Sequence, residues 1–196
     1  LAVAQSLKLI ERLGIDPTQL CYVMAVYAAY RMRIRDCDGA DRYAKLALER
    51  SAAGPRDHRA EHVVHGIVRP WIAPRRTCLE PLQTGAEYAR ELGDTEYGGY
   101  ALLMALAFRV LAGDPIVDCA DRCHAALEDG WHSVAGRLRR MDRFFRIITG
   151  GIPLEEIELD ATRANRDDDA SDDMSSLVWG MLALCVYGRW EQAETW

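Results

Sequence analysis

No apolar stretch in this chain comes near the length of a membrane span. Apolar stretches such as Leu102–Ala107 fall far short of the roughly 20 residues that a bilayer requires. No basic segment leads into an apolar run at the start of the sequence, which argues against a secretory signal. Excess positive charge is missing as well: Lys and Arg number 24 against 30 Asp and Glu, a net charge of −6. An acidic total disfavours nucleic acid as a partner, because binding phosphates takes a basic face. Enzyme signatures are absent too, with no G-x-x-x-x-G-K-[ST] phosphate cradle, no G-x-G-x-x-G fingerprint and no G-x-S-x-G elbow. These absences point to a cytoplasmic, non-catalytic protein with no cofactor, no membrane and no nucleic-acid partner.

What is present reads as globular: 196 residues, 49% apolar and 28% charged. A fold of this size can bury roughly 70% of its unfolded surface. The six cysteines (Cys21, Cys37, Cys78, Cys119, Cys123 and Cys185) are scattered through apolar periodic segments, as reduced, buried thiols would be. Nearly every stretch carries the helical period. Val23, Met24, Tyr27 and Ile34 sketch one stripe, opened by Asp16-Pro17 as N-cap and first helical residue. Tyr97, Tyr100, Ala101, Met104, Phe108 and Leu111 make a second. Val134, Leu138, Met141, Phe145 and Ile148 make a third, and Met174, Leu177, Val178, Met181, Leu182 and Cys185 a fourth. No segment alternates with period two, so the expected class is all-α.

The breaks between these stripes are regular. Turns expected at Asp38-Gly39, Ala73-Pro74, Gly113-Asp114-Pro115, Gly150-Gly151 and Gly188 lie 35, 39, 38 and 37 residues apart when measured from Gly39, Pro74, Gly113, Gly151 and Gly188. A second series, Gly54-Pro55, Gly93-Asp94, Asp129-Gly130 and the acidic stretch around Asp168, interleaves them with a similar spacing. Two staggered series sharing one period describe repeated helix pairs. A lone pair cannot bury its apolar face, so pairs stack and each covers the next. The expectation is an α-solenoid of about five antiparallel helix pairs with a period of about 37 residues, spanning 1–196 as one helical-repeat domain. Both ends fall inside helix-like text without an initiator Met, which reads as a fragment of a longer chain.

The period is close to that of the tetratricopeptide repeat. Gly39 to Ala44 and Gly188 to Ala193 place a small residue five positions before an alanine, and Tyr187-Gly188-Arg189-Trp190-Glu191-Gln192-Ala193 looks like the turn and second-helix start of such a unit. Gly113 leads instead to Asp118, and Gly151 to Glu156, so the units are degenerate. From Arg59 to Gly130, the succession His65-Gly66-Ile67-Val68-Arg69-Pro70-Trp71, Glu80-Pro81-Leu82, Glu91-Leu92-Gly93-Asp94-Thr95-Glu96-Tyr97 and Leu111-Ala112-Gly113-Asp114-Pro115 resembles the helical-repeat region of very large bacterial signalling kinases. Those proteins join a Ser/Thr kinase-like domain, an AAA-type ATPase and often GAF and histidine-kinase modules. The resemblance implies a scaffold or sensor region between catalytic modules, in contact with a protein, a peptide or other domains of its own chain.

Four clusters carry the remaining chemistry. His58, His62 and His65, at i, i+4 and i+7, would share a face of one helix and are the candidate metal ligands, although the His-Glu-x-x-His order is absent. Cys119 and Cys123 pose the same question at i, i+4, where buried interface thiols are the plainer reading. Arg139, Arg143 and Arg146 line one face of a basic helix, and the run Asp167–Asp173, with Asp168 and Asp172 as its partner candidates, sits where negative charge suits a helix start. The aromatics Tyr27, Tyr30, Trp71, Tyr97 and Tyr100 fall on first helices of their pairs, the helices that line the inner face of tetratricopeptide-like stacks. Those ten residues are the expected partner contacts. A small-ligand pocket inside the superhelix, closed by the same aromatics, is the alternative, and an all-helical metal-dependent enzyme built on the three histidines is a second.

Overall fold

The computed structural model describes residues 17–151. These residues form seven α-helices and no strand. They are α1 (Pro17–Arg33), α2 (Cys37–Ala53), α3 (His58–His62), α4 (Arg76–Glu91), α5 (Thr95–Leu111), α6 (Ile116–Glu128) and α7 (Ala135–Ile148). A wide π-helical turn, Val63–Val68, and a 3₁₀ turn, Arg69–Trp71, extend α3, and a second 3₁₀ turn, His132–Val134, leads into α7. The stripe expected over 174–185, the turn at Gly188 and the candidates Asp168 and Asp172 lie outside the described residues. The chain divides into two compact units, Leu1–Phe108 and Arg109–Trp196.

In the first unit, α1 and α2 form a hairpin, and the helix continuing α3 packs on both. Their seam is made largely of alanine: Ala25 and Ala28 on α1, Ala40, Ala44 and Ala47 on α2, and Ala60 on α3 are completely buried. Small side chains let helix backbones approach closely, and Leu20, Cys21, Met24, Val63, Val64 and Val68 fill the space that remains. The buried stripe of α1 is therefore Leu20, Cys21, Met24, Ala25 and Ala28. Of the residues expected there, only Met24 is buried; Val23, Tyr27 and Ile34 are exposed on the other side. The reason is that α1 is apolar all round, so periodicity alone does not choose its inner face. On α5 the buried set is Gly98, Gly99, Ala101, Leu103, Ala105, Leu106 and Phe108, with Leu111 exposed. Here too the apolar residues run round the helix, and small ones take the inner positions.

In the second unit, α6 packs on α7. Cys119 and Cys123 are fully buried, and the Cys123 thiol donates to the Leu138 carbonyl at 3.4 Å. The α7 stripe is close to the expected one, with Val134, Leu138, Met141 and Phe145 buried and Phe144 and Ile147 added.

The first turn is not at Gly39. Asp38-Gly39 lies inside α2, and the chain reverses at Ile34–Asp36. Arg35 stands at φ 61°, its N–H bonded to the Met32 carbonyl and the next N–H, of Asp36, to the Arg31 carbonyl, both at 2.9 Å. The same pair of closing bonds ends α4 at Gly93, α5 at Gly113 and α7 at Gly150, each with a positive φ. This closure takes a left-handed residue, which glycine adopts freely. An L side chain there costs about 1–2 kcal/mol, and only at Arg35 does a non-glycine residue hold it among the described residues. Gly39 has another job: a Cβ on it would collide with the Asp36 carboxylate and approach the Arg31 guanidinium. Asp36 caps α2, accepting from the Gly39 N–H at 3.0 Å, and pairs with Arg31.

Candidate functional site

Two groupings in the first unit stand out, one buried and one exposed. The buried one begins at the caps. Asp57 accepts from the N–H groups of Arg59 and Ala60, both at 3.1 Å, and starts α3. Asp94 accepts from the Tyr97 N–H at 3.3 Å and starts α5. The Asp94 carboxylate also meets His58 Nε2 at 2.9 Å and accepts from Arg59 Nε at 2.7 Å. Burial would raise this carboxyl, but those hydrogen bonds outweigh it and hold it below the ordinary carboxylate value. The Arg59 guanidinium also lies 5.1 Å from the Tyr97 ring centre. On the far side of α3, Arg56 grips Glu61 with three contacts of 2.7–3.1 Å and covers the Tyr88 ring at 4.9 Å.

Beneath these clamps sit the imidazoles. His62 and His65 are both buried, and neither Nδ1 has a hydrogen-bond partner. Burial pulls each down from 6.5 to about 4, with the Arg69 charge adding to the effect at His65. The His62 ring lies about 6 Å from both Tyr97 and Tyr100, and the Tyr97 hydroxyl is 2.8 Å from that of Tyr22. That hydrogen bond and burial push Tyr97 up to about 12. The α-helical spacing that would set the three histidines on one face is interrupted between His62 and His65. The π-turn begins directly after His62 and winds more residues into each revolution than an α-helix does, which changes the register of His65. His58 is tied to Asp94 instead, and no cluster of three metal-ligating side chains occurs among the described residues.

The exposed grouping is the outer face of α1. Val23, Tyr27, Tyr30 and Ile34 recur at spacings of four, three and four, with Val26 beside them, and all five are exposed; Val23 is at 50%, Tyr30 at 55% and Ile34 at 52%. Tyr27 stacks with Tyr30 at 6.1 Å and meets Tyr43 of α2 edge-on at 4.6 Å, so the stripe continues onto the second helix. Arg31 lies 5.9 Å from the Tyr27 ring centre. Single exposed apolar residues are ordinary, but five on one helical face form an organised surface.

No family model, curated protein or solved structure matches this chain.

The expected partner contacts therefore divide. Tyr27 and Tyr30 lie on the exposed stripe. Trp71, at 72% exposure, is the most open large apolar side chain among the described residues, and it stands with exposed Ile67 on the turns after α3. Tyr97 and Tyr100 are half-buried within the histidine cluster. Arg139 and Arg146 are exposed on α7, and Arg143 is half-buried. The sequence reading missed Arg33 and Arg35 beside the stripe. The signal was the Arg35-Asp36 pair, which stands where Gly-Asp stands at Gly93-Asp94 and Gly113-Asp114.

Proposed function

We propose that this chain is a non-catalytic helical-repeat module that holds a protein or peptide partner, or a neighbouring domain, through the outer face of α1. One observation carries the reading: α1 has two apolar faces, and the described helices cover only one. Leaving Val23, Tyr27, Tyr30 and Ile34 in water forgoes the burial free energy available to them, about 25 cal/mol for each Å². A face built this way is stabilised when a partner covers it. The regular spacing of turns supports a tetratricopeptide-like stack of about five helix pairs, which would set such faces side by side on a concave surface. The resemblance to the repeat region of bacterial signalling kinases supports a scaffold or sensor role in the cytoplasm.

A photo-crosslinking phenylalanine derivative at position 30, irradiated in the native cell, tests the proposal. A discrete adduct that disappears in an Ile34→Asp background supports it. Adducts no different from those of the same probe at exposed Glu128 overturn it.

A further inference from the structure

Arg35 occupies a backbone position that glycine holds at three comparable helix ends, so its side chain is kept against a conformational preference. A residue held in an unfavourable region points to a task for its side chain. No task inside the fold is visible: Arg35 and its neighbour Arg33 are exposed, and neither guanidinium has an ion-pair or hydrogen-bond partner among the described residues. Both flank Ile34, at the carboxy-terminal end of the apolar stripe. Helix α1 contains no Asp or Glu, and the nearest carboxylate along the chain, Asp36, is already engaged by Arg31 and the α2 cap. The outer face of α1 is thus an apolar strip about three helical turns long that ends in two unengaged guanidinium groups.

We propose that this face docks an amphipathic helix whose apolar side covers Val23, Tyr27, Tyr30 and Ile34 and whose acidic residues at one end meet Arg33 and Arg35. The inference rests on the docking role proposed above and adds the chemistry of the partner. Apolar side chains at helical spacing suit a helix laid along them, and paired guanidiniums suit carboxylates. A second copy of this chain would bring its own cationic α1 and no carboxylate on that helix, and so answers the charge less well.

The test uses three synthetic amphipathic helices that share a leucine face and differ only at one end, which carries Glu, Gln or Lys. Each is titrated against the chain by fluorescence anisotropy. The Glu peptide binds, the Gln peptide binds more weakly by about three- to ten-fold, and the Lys peptide more weakly again. Arg35→Gly narrows the gap between the Glu and Gln peptides while raising the melting temperature, since glycine relieves the left-handed strain. A loss of affinity in a more stable protein separates recognition from folding. Equal binding of the Glu and Gln peptides, abolished by Tyr30→Ser, overturns the acidic assignment but leaves the docking role standing. Failure of all three peptides to bind, or self-association of the chain through Tyr30, overturns the inference.

Discussion

The hydroxyl groups of Tyr22 on α1 and Tyr97 on α5 lie 2.8 Å apart across 75 residues of sequence. The rings meet edge to face with centres 6.0 Å apart, and His62 lies against Tyr97 from α3. Three helices of this unit, α1, α3 and α5, thereby converge on one polar and aromatic cluster. Tyr22→Phe removes the hydroxyl partner that does most to raise Tyr97. Titration of tyrosinate absorbance should then show the Tyr97 step below about 12.

Acid should weaken the first unit before its carboxylates titrate. His62 and His65 stay neutral in the fold down to about 4, whereas an unfolded histidine takes up its proton near 6.5. The unfolded chain binds more protons between those values, so stability is complete above 6.5 and falls as pH drops toward 4. At about 1.4 kcal/mol per pH unit, each ring accounts for about 2 kcal/mol between pH 6.5 and 5. Asp57, whose carboxyl burial raises, acts in the opposite sense at the acid end. Urea unfolding at pH 7 and pH 5 measures the slope, and His62→Leu should flatten it.

Asp94 joins a helix cap to a charge clamp, and two substitutions separate them. Asp94→Asn keeps a good cap and should cost about 1 kcal/mol. Asp94→Ala loses the cap and leaves His58 and Arg59 without their acceptor, for about 2–3 kcal/mol. Thermal unfolding of both proteins at pH 7 shows whether the order holds.

Gly39→Ala should destabilise, although alanine is the better helix former by about 1 kcal/mol. The new methyl displaces the Asp36 carboxylate and breaks its bond to the Gly39 N–H and its pairing with Arg31. A rise in melting temperature would show that Asp36 moves without consequence.

Cys37 should react alone among the described cysteines. It is exposed, while Cys21, Cys78, Cys119 and Cys123 are buried and free, and burial raises their thiols, Cys123 up to about 12. Both effects keep the reactive thiolate scarce. Peptide mapping after brief iodoacetamide treatment should find Cys37 alkylated and those four intact.

Class and punctuation were readable where one residue type has one structural use. The absence of period-two patterning gave all-α, glycine followed by aspartate marked the turns at Gly93 and Gly113, and a glycine pair marked the one at Gly150–Gly151. The turn at Arg35 was hidden because an arginine does the work of a glycine, which made Gly39 look like the break. The outer face of α1 passed for its inner one because valine, tyrosine and isoleucine outweigh alanine in any apolar pattern, while alanine is what the seam buries. The histidine face was drawn on an α-helix, and the wide turn that breaks it leaves no mark in hydrophobic period.

That wide turn has a consequence for evolution of length. A π-turn accommodates one surplus residue, so whatever follows is rotated by about 100° from the course of an unbroken helix. Ile67 lies within that turn and Trp71 just beyond it, and both are exposed. Excising a single residue near Gly66 would restore ordinary winding and carry the indole to another azimuth, so a one-codon deletion there redirects a surface that point substitutions can only trim.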